Sequence, residues 1–512
     1  MSPVLHPHAC RGVGSRRRAG IAVVSLVLAA TGCTMLGPEY RRPPIALPAQ
    51  YDEAVAQPGA APTIPPNWWS SYRDPDLDRL VARALAHNVD ARAAVARLEE
   101  AQAALREARA VLVPQVDLSA AATRSRISSS TAQPVPPGVD RTRSDHRVSL
   151  GTAFELDFWG RLRRGAQAVE AQWLASRFAL DVVGLDLAAT TAHTWFALRS
   201  LDAQVAVTRD SLRAREESLE VVRARAEGGL VSDLDLHQAR AARADTAVQL
   251  AELQRQRDEV EHQLAALTGE PGMRVAPGDL RAMPVPPSPP PGVPSSLLVR
   301  RPDIRQAEAQ LAAANALIGV ARAAMMPTIS LTGAFGGQSG DLADLLRAPA
   351  RFWSLGIGLA LPIFDAGRLQ ARTDQAEARE RQALAAYQRT VETAYREVAD
   401  ALTNGSHAAS AEREVDLQVE AARASVQLAQ SRYQAGYSGY LEVLDALRVQ
   451  HAAELALIRN RQSRLSFSVD LMQALGGGWI DPTTALADQP LRSASATPSV
   501  RGPLPVPGTP PR

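Results

Sequence analysis

The chain has 512 residues, 46% hydrophobic and 4% aromatic, with a formal net charge of +2. That balance, with no basic block beyond residues 16–18, gives nucleic-acid binding no footing. All 56 basic residues are arginine, and the abundance of alanine beside so few aromatics suits long, closely packed helices.

The start of the chain pairs Arg11, Arg16, Arg17 and Arg18 with an apolar run over 21–30, followed by Thr31-Gly32-Cys33. This is the shape of a secretory signal, here residues 1–32. The small residues before Cys33 resemble a bacterial lipobox, in which the cysteine is lipidated and becomes the mature N-terminus. Thr34, in place of an Asp, favours the outer membrane, and a lipidated Cys33 leaves no thiol for a disulfide. No later stretch has the ~18 consecutive apolar residues of a membrane helix. Without one, a membrane protein is anchored to the bilayer, lies on it, or crosses it as a closed barrel. Residues 33–66, rich in Pro and Ala, read as a lipidated tether.

The spacing then predicts a helix over 76–113 that stops at Pro114, and two strands between Pro114 and Gly160 around a loop near 128–144. From Gly160 to about Glu227 there is no proline, and a helix of roughly 68 residues spans ~100 Å. The turn Gly229-Leu230-Val231-Ser232 leads into a returning helix over 233–268. A proline-dense linker occupies 269–294 and is expected to run in extended form.

After the linker the same order recurs. Ala108-Arg109-Ala110 before Pro114 returns as Ala321-Arg322-Ala323 before Pro327, and Gly160-Arg161-Leu162 as Gly367-Arg368-Leu369. Gly160 to Gly229 has the same spacing as Gly367 to Gly436, so the long helices match without slippage. In the second copy Val415, Val419, Ala422, Val426, Ala429 and Tyr433 make a coiled-coil seam; in the first, Arg215 interrupts it. The first repeat is thus 67–268, the second 295–478, and 479–512 reads as a disordered tail. Four strands cannot close a barrel and an open edge is not tolerated in lipid, whereas three chains supply twelve. Phe154, Phe158, Trp159, Phe352, Trp353 and Phe364 cluster at strand ends as candidates for an aromatic girdle.

Catalytic motifs are missing: there is no His-Glu-x-x-His pair, phosphate loop or nucleophile elbow, and His237, His262 and His451 stand isolated on helices. No cofactor or metal is expected beyond the covalent lipid on Cys33.

Several ordered motifs resemble TolC-like outer-membrane efflux lipoproteins. They are Cys33 through Tyr40 with Arg42-Pro43; Asn67-Trp68-Trp69 with Asp74-Pro75-Asp76-Leu77; and Arg301-Pro302-Asp303-Ile304 with Ala314-Asn315-Ala316 and Ile318-Gly319. The resemblance covers roughly residues 28–478. It implies a fold mainly α with β, the duplicated strand-pair and long-helix repeat forming a trimeric twelve-stranded outer-membrane barrel continuous with a periplasmic helical barrel. It also implies passive conduction for an inner-membrane efflux pump through a periplasmic adaptor. Glu442 and Asp445 share a face near the tip with Arg448, and in similar proteins such acids line the closed mouth, so this trio is the candidate gate. Both tips, Gly229, Leu230, Val231 and Ser232 with Gly436, Tyr437 and Ser438, are candidates for adaptor docking. Copy one has Asp235 and Gln238 where copy two has Glu442 and Asp445, and receives a lesser role. The competing class is a periplasmic coiled-coil adaptor or structural lipoprotein, which does not need a strand pair in every repeat.

Overall fold

The structure is a computed structural model, and it describes residues 35–48, 51, 64–128, 130, 136, 138–288 and 294–479. Cys33, the signal segment and the tail from 480 lie outside the described residues. Eleven elements carry the architecture: α1 (Pro75–His87), α2 (Val89–Ala110), β1 (Gln115–Arg126), β2 (Thr142–Leu156), α3 (Arg161–Glu227), α4 (Asp233–Leu267), α5 (Pro302–Ala323), β3 (Thr328–Ser339), β4 (Arg351–Ala360), α6 (Arg368–Gln434) and α7 (Tyr440–Ala474). A single turn, Leu297–Arg300, precedes α5.

The copies match in length as well as order. Helices α3 and α6 have 67 residues each, α4 and α7 have 35, and α2 and α5 have 22. Each long helix is therefore covered by an entering helix on the strand side and a returning helix on the tip side. The predicted seam is built as spaced: Val419, Ala422, Val426, Ala429 and Tyr433 are buried, as are Leu219 and Val222 in copy one. Arg215, the interruption, is buried too, where its Nη1 donates to the Ala242 carbonyl at 3.3 Å.

The expected helix over 76–113 is in fact two helices. Asn88 takes an extended conformation, and its Oδ1 accepts from the amides of Asp90 (2.7 Å) and Ala91 (3.4 Å). Its side-chain amide donates to the Leu267 carbonyl, so Asn88 starts α2 afresh instead of continuing α1. The break turns Leu77, Leu80 and Val81 of α1 into a core with Trp68, Trp195, Phe196, Ile458 and Leu465. Asp74 explains its motif: it caps α1 and accepts from the Trp195 indole at 2.8 Å.

The linker also departs from expectation, because up to residue 288 it is docked rather than a free spacer. Leu280 and Met283 enter that same core. Asp202 accepts from Arg199, Arg257 and the Gly278 amide, while Glu261 accepts from the Val275 amide and Arg274. Burial would raise the Glu261 carboxyl, but these donors with Arg257 hold it below its ordinary value. At the front of the chain, residues 35–48 form a strap along α5 and α6. Arg42 forks onto Glu308 (2.7 and 2.8 Å), Tyr51 stacks on Tyr395, and Ile45 and Leu47 pack on the α5–α6 core. The strap begins where Leu36 pairs with the Trp159 carbonyl, at the junction of β2 and α3.

The strands form one antiparallel sheet in the order β1-β2-β3-β4. Directly paired residues share a face, so the register sorts the side chains. One row runs Leu118, Leu150, Phe335, Trp353, with exposures of 71%, 48%, 57% and 77%. The adjacent row, Ser119, Ser149, Gly336, Phe352, lies on the other face. The sheet thus has one apolar face open to its surroundings and one polar face carrying Asp117, Asp145, Arg147 and Glu155. Of the expected girdle, Trp353, Phe158 and Phe364 are exposed. Trp159 and Phe352 are packing residues: the Trp159 indole donates to the Pro327 carbonyl at 2.7 Å, and Arg147 covers the Phe352 ring at 4.4 Å.

Candidate conduit, gate and tips

Both tips close the same way. Gly229 (φ 71°) and Gly436 (φ 80°) sit in the left-handed region just past the long helices. The Gly229 amide donates to Ala226 and that of Leu230 to Arg225; likewise Gly436 donates to Tyr433 and Tyr437 to Arg432. Each end is a Schellman turn whose glycine escapes the Cβ penalty. Ser232 then caps α4 by accepting from the Asp235 amide at 3.3 Å, whereas α7 begins at Gly439 with no side-chain cap. Leu230 (77% exposed) and Tyr437 (80%) project outward from the turns, while Val231 and Ser438 are half-buried. Leu234 and Leu441, also exposed and repeat-equivalent, stand one helical turn away. Sequence reading missed this second pair, although the repeat alignment brackets it.

The acids behind the second tip do not act as one trio. Asp445 pairs with Arg448 at 2.7 Å along α7, and both side chains are largely exposed. Glu442 faces Arg432 of α6 at 3.4 Å instead. The repeat-equivalent of Arg432 is Arg225, which leaves its own hairpin. It reaches the carbonyls of Tyr433 (3.4 Å) and Gln434 (3.5 Å) and lies 4.7 Å over the Tyr433 ring. Tyr433 and Tyr440 pack 5.5 Å apart, and the Tyr440 hydroxyl meets Ser218 at 3.0 Å. The structure thus brings Glu442 and Asp445 onto one exposed face and ties the two hairpins together beside it through Arg225. In copy one Asp235 is occupied by Ser232.

Farther along the α3–α7 seam, His451 Nε2 lies 3.0 Å from Thr208 Oγ1 and both are buried. Burial, then the nearby Arg215 and Arg459, push this imidazole below its ordinary value against the pull of Glu454 and Asp245. This is packing chemistry, as expected for an isolated helical histidine. No group of three or more potential metal ligands occurs among the described residues, nor any helix long and apolar enough to cross a membrane.

The outer membrane efflux protein family model matches residues 80–270 and 293–477, both repeats with the linker between them. The chain belongs to that family. The solvent efflux pump outer membrane protein SrpC of Pseudomonas putida is 35% identical over 459 residues, 88% of this chain and 96% of that protein. Outer membrane protein OprJ of Pseudomonas aeruginosa is 34% identical over 475 residues, covering 90% and 97%. Among solved structures, the CmeC outer membrane channel of Campylobacter jejuni has a TM-score of 0.81 at 25% identity, covering 89% of this chain and 98% of that one. This family member is therefore an outer-membrane efflux channel and not an enzyme, and the coiled-coil adaptor reading finds no support.

Proposed function

We propose that three copies assemble into a continuous duct, a twelve-stranded barrel in the outer membrane joined to a periplasmic helical tube, which passively conducts substrates from an inner-membrane pump and its periplasmic adaptor. The observation that carries this reading is which elements lack partners. Helix α5 packs between α3 and α6, but its counterpart α2 packs on α3 without comparable packing on a second long helix. Helix α7 packs on both α6 and α3, whereas α4 lies on α3 and barely meets α7. The α6 of a neighbouring protomer, laid on α2 and α4, supplies every missing contact. Edges β1 and β4 are open in the same way. With four strands per chain, β4 of one protomer meets β1 of the next antiparallel, so closure continues one pattern.

The repeat also sets a register for that seam. Val116 opposite Thr152 recurs as Ile329 opposite Leu359, so β1 corresponds to β3 and β2 to β4. Transferred to the seam, the Leu150–Phe335 pair places Ile357 against Ala122 of the next protomer, and His146–Ser339 places Trp353 against Arg126. The apolar face then meets lipid and the polar face lines the channel. The first described residue, Met35, packs on Gly160 at the junction of β2 and α3. A lipid on Cys33, two residues earlier in the chain, would anchor the protein to the outer membrane.

In such a trimer Asp445 and Glu442 recur as rings near the periplasmic mouth, attracting cations, and Arg448, paired with Asp445 along the same helix, holds the mouth narrow when it pairs across to a neighbouring helix. The exposed Leu230 and Tyr437 tips meet the adaptor. Single-channel recording in planar bilayers tests the duct: the wild type is expected to conduct, and Asp445→Ala to raise opening and weaken cation selectivity. A variant indistinguishable from wild type removes Asp445 from the gate, and a wild type without conductance ends the duct reading.

A further inference from the structure

Past the apolar band the outward face of the sheet changes character. By register, Arg124 and Arg126 on β1 share the face of Leu118, and Arg351 on β4 shares that of Trp353. All three arginines are exposed and make no ion pair among the described residues. The carboxylates of the strands, Asp117, Asp145 and Glu155, lie on the opposite face, where Gln338 donates to Asp145 at 2.9 Å. So do Arg143 and Arg147, the latter engaged with Phe352. Among the strand residues, the outward face therefore carries cations and no carboxylate, at the strand ends far from the helices; the β3–β4 loop, whose Leu345 lies over Gly337, adds Asp344, which is paired with Arg347.

We propose that Arg124, Arg126 and Arg351 form a binding site for the phosphate groups of a lipid headgroup in the outer leaflet, one site at each seam between protomers. This rests on the barrel reading, because β1 and β4 are opposite edges of one chain and meet only on closure. The transferred register sets Arg126 beside Trp353 of the neighbour, with Arg351 two residues farther out on the same face. Tryptophan marks the level where hydrocarbon gives way to headgroups. Guanidinium is the side chain suited to phosphate there, since its planar fork donates two parallel hydrogen bonds and stays charged. Unpaired arginines facing hydrocarbon are costly, while facing a phosphorylated leaflet they are attracted to it. Arg126 and Arg351 thus sit at the depth on this face where their charge has a counterion, and Arg124, set beside Leu355 one pair inward, reaches that level with its long side chain.

Native mass spectrometry of the full chain, presented with bis-phosphorylated lipid A or its dephosphorylated form, tests the site. The wild-type trimer is expected to retain the phosphorylated lipid preferentially, and Arg126→Gln with Arg351→Gln to lower retention about tenfold. The inward pair Arg143→Gln with Arg147→Gln should leave retention unchanged. Equal retention by the wild type and the outward variant overturns the proposal, as does displacement of the lipid by equimolar inorganic phosphate, which marks a simple anion site. Should the outward variant fail to assemble, the wild type decides alone: no preference for the phosphorylated form overturns the site. A conducting wild-type trimer that retains no lipid removes only this site, whereas a wild type that stays monomeric and does not conduct removes the barrel reading as well.

Discussion

His451 is buried against Thr208 with Arg215 close by, so folding favours its neutral form. Its folded value lies below the unfolded one of about 6.5, and as pH falls through that value the unfolded chain takes up the proton first. The sign follows: this histidine leaves stability intact at high pH and subtracts from it on acidification, by at most ~1.4 kcal/mol per pH unit. Thermal unfolding between about pH 7.5 and about pH 5.5 should show this loss, and His451→Gln should flatten it; an unchanged slope in the variant would rule His451 out. Gly37 is the other decisive single residue. Its φ is +95°, and a Cβ there collides with the Gly319 backbone, while a Cβ on Gly319 meets the Leu36 carbonyl at 2.7 Å. Gly37→Ala is expected to cost on the order of 1–3 kcal/mol locally. The expected readout is faster proteolysis within residues 35–48 from an intact assembly; unaltered cleavage would show that the strap does not depend on this contact.

Among the elements, the long helices owe their stability to covering partners along their full length, since isolated helices are marginal in water. Their ends are where the copies differ. Arg225 extends the reach of α3 onto the C-terminal carbonyls of α6, where a cation is favoured by the helix dipole, and it also covers Tyr433. Arg432 stays within its own hairpin, paired with Glu442. Arg225→Ala is therefore expected to loosen the second tip by about 1 kcal/mol, seen as roughly fivefold faster amide exchange over 429–436. Arg432→Ala should leave those amides protected; equal acceleration in both variants would deny Arg225 its bridging role. Much of this scale was legible beforehand. Proline and glycine bounded the long helices, and alternation marked the strands. The Asn88 break was not, because an asparagine inside a periodic run ends a helix only when tertiary contacts, here the Leu267 carbonyl and the core around Trp68, reward the bend.

For the whole molecule, duplication is the governing fact, since each contact made between repeats within a chain forecasts one between chains. The seam register derived from β2 and β3 is directly testable. Ala122→Cys with Ile357→Cys should give a covalent trimer under oxidation, because directly opposed strand residues hold their Cβ atoms about 4.5–5.5 Å apart. Either single variant should stay uncrosslinked, and a double variant that also fails to crosslink would exclude this register. The docked linker belongs to this scale too. By tying α3 and α4 to the core that α7 enters, Leu280 and Met283 make the two repeats one body at mid-height.

The sequence by itself determined the repeat, the equal helix lengths, the alternation of the strands, the glycine turns at the tips and the shared face of Glu442 and Asp445. These follow from local rules: side-chain period, backbone permissiveness and the spacing of chain breaks. The tertiary structure alone decided that Arg225 crosses to the other hairpin, that Glu442 answers to Arg432, that the proline-rich linker is docked, and that Gly37 meets Gly319. Those contacts join residues far apart in the chain, and their partners are fixed only when helices from both repeats are packed side by side.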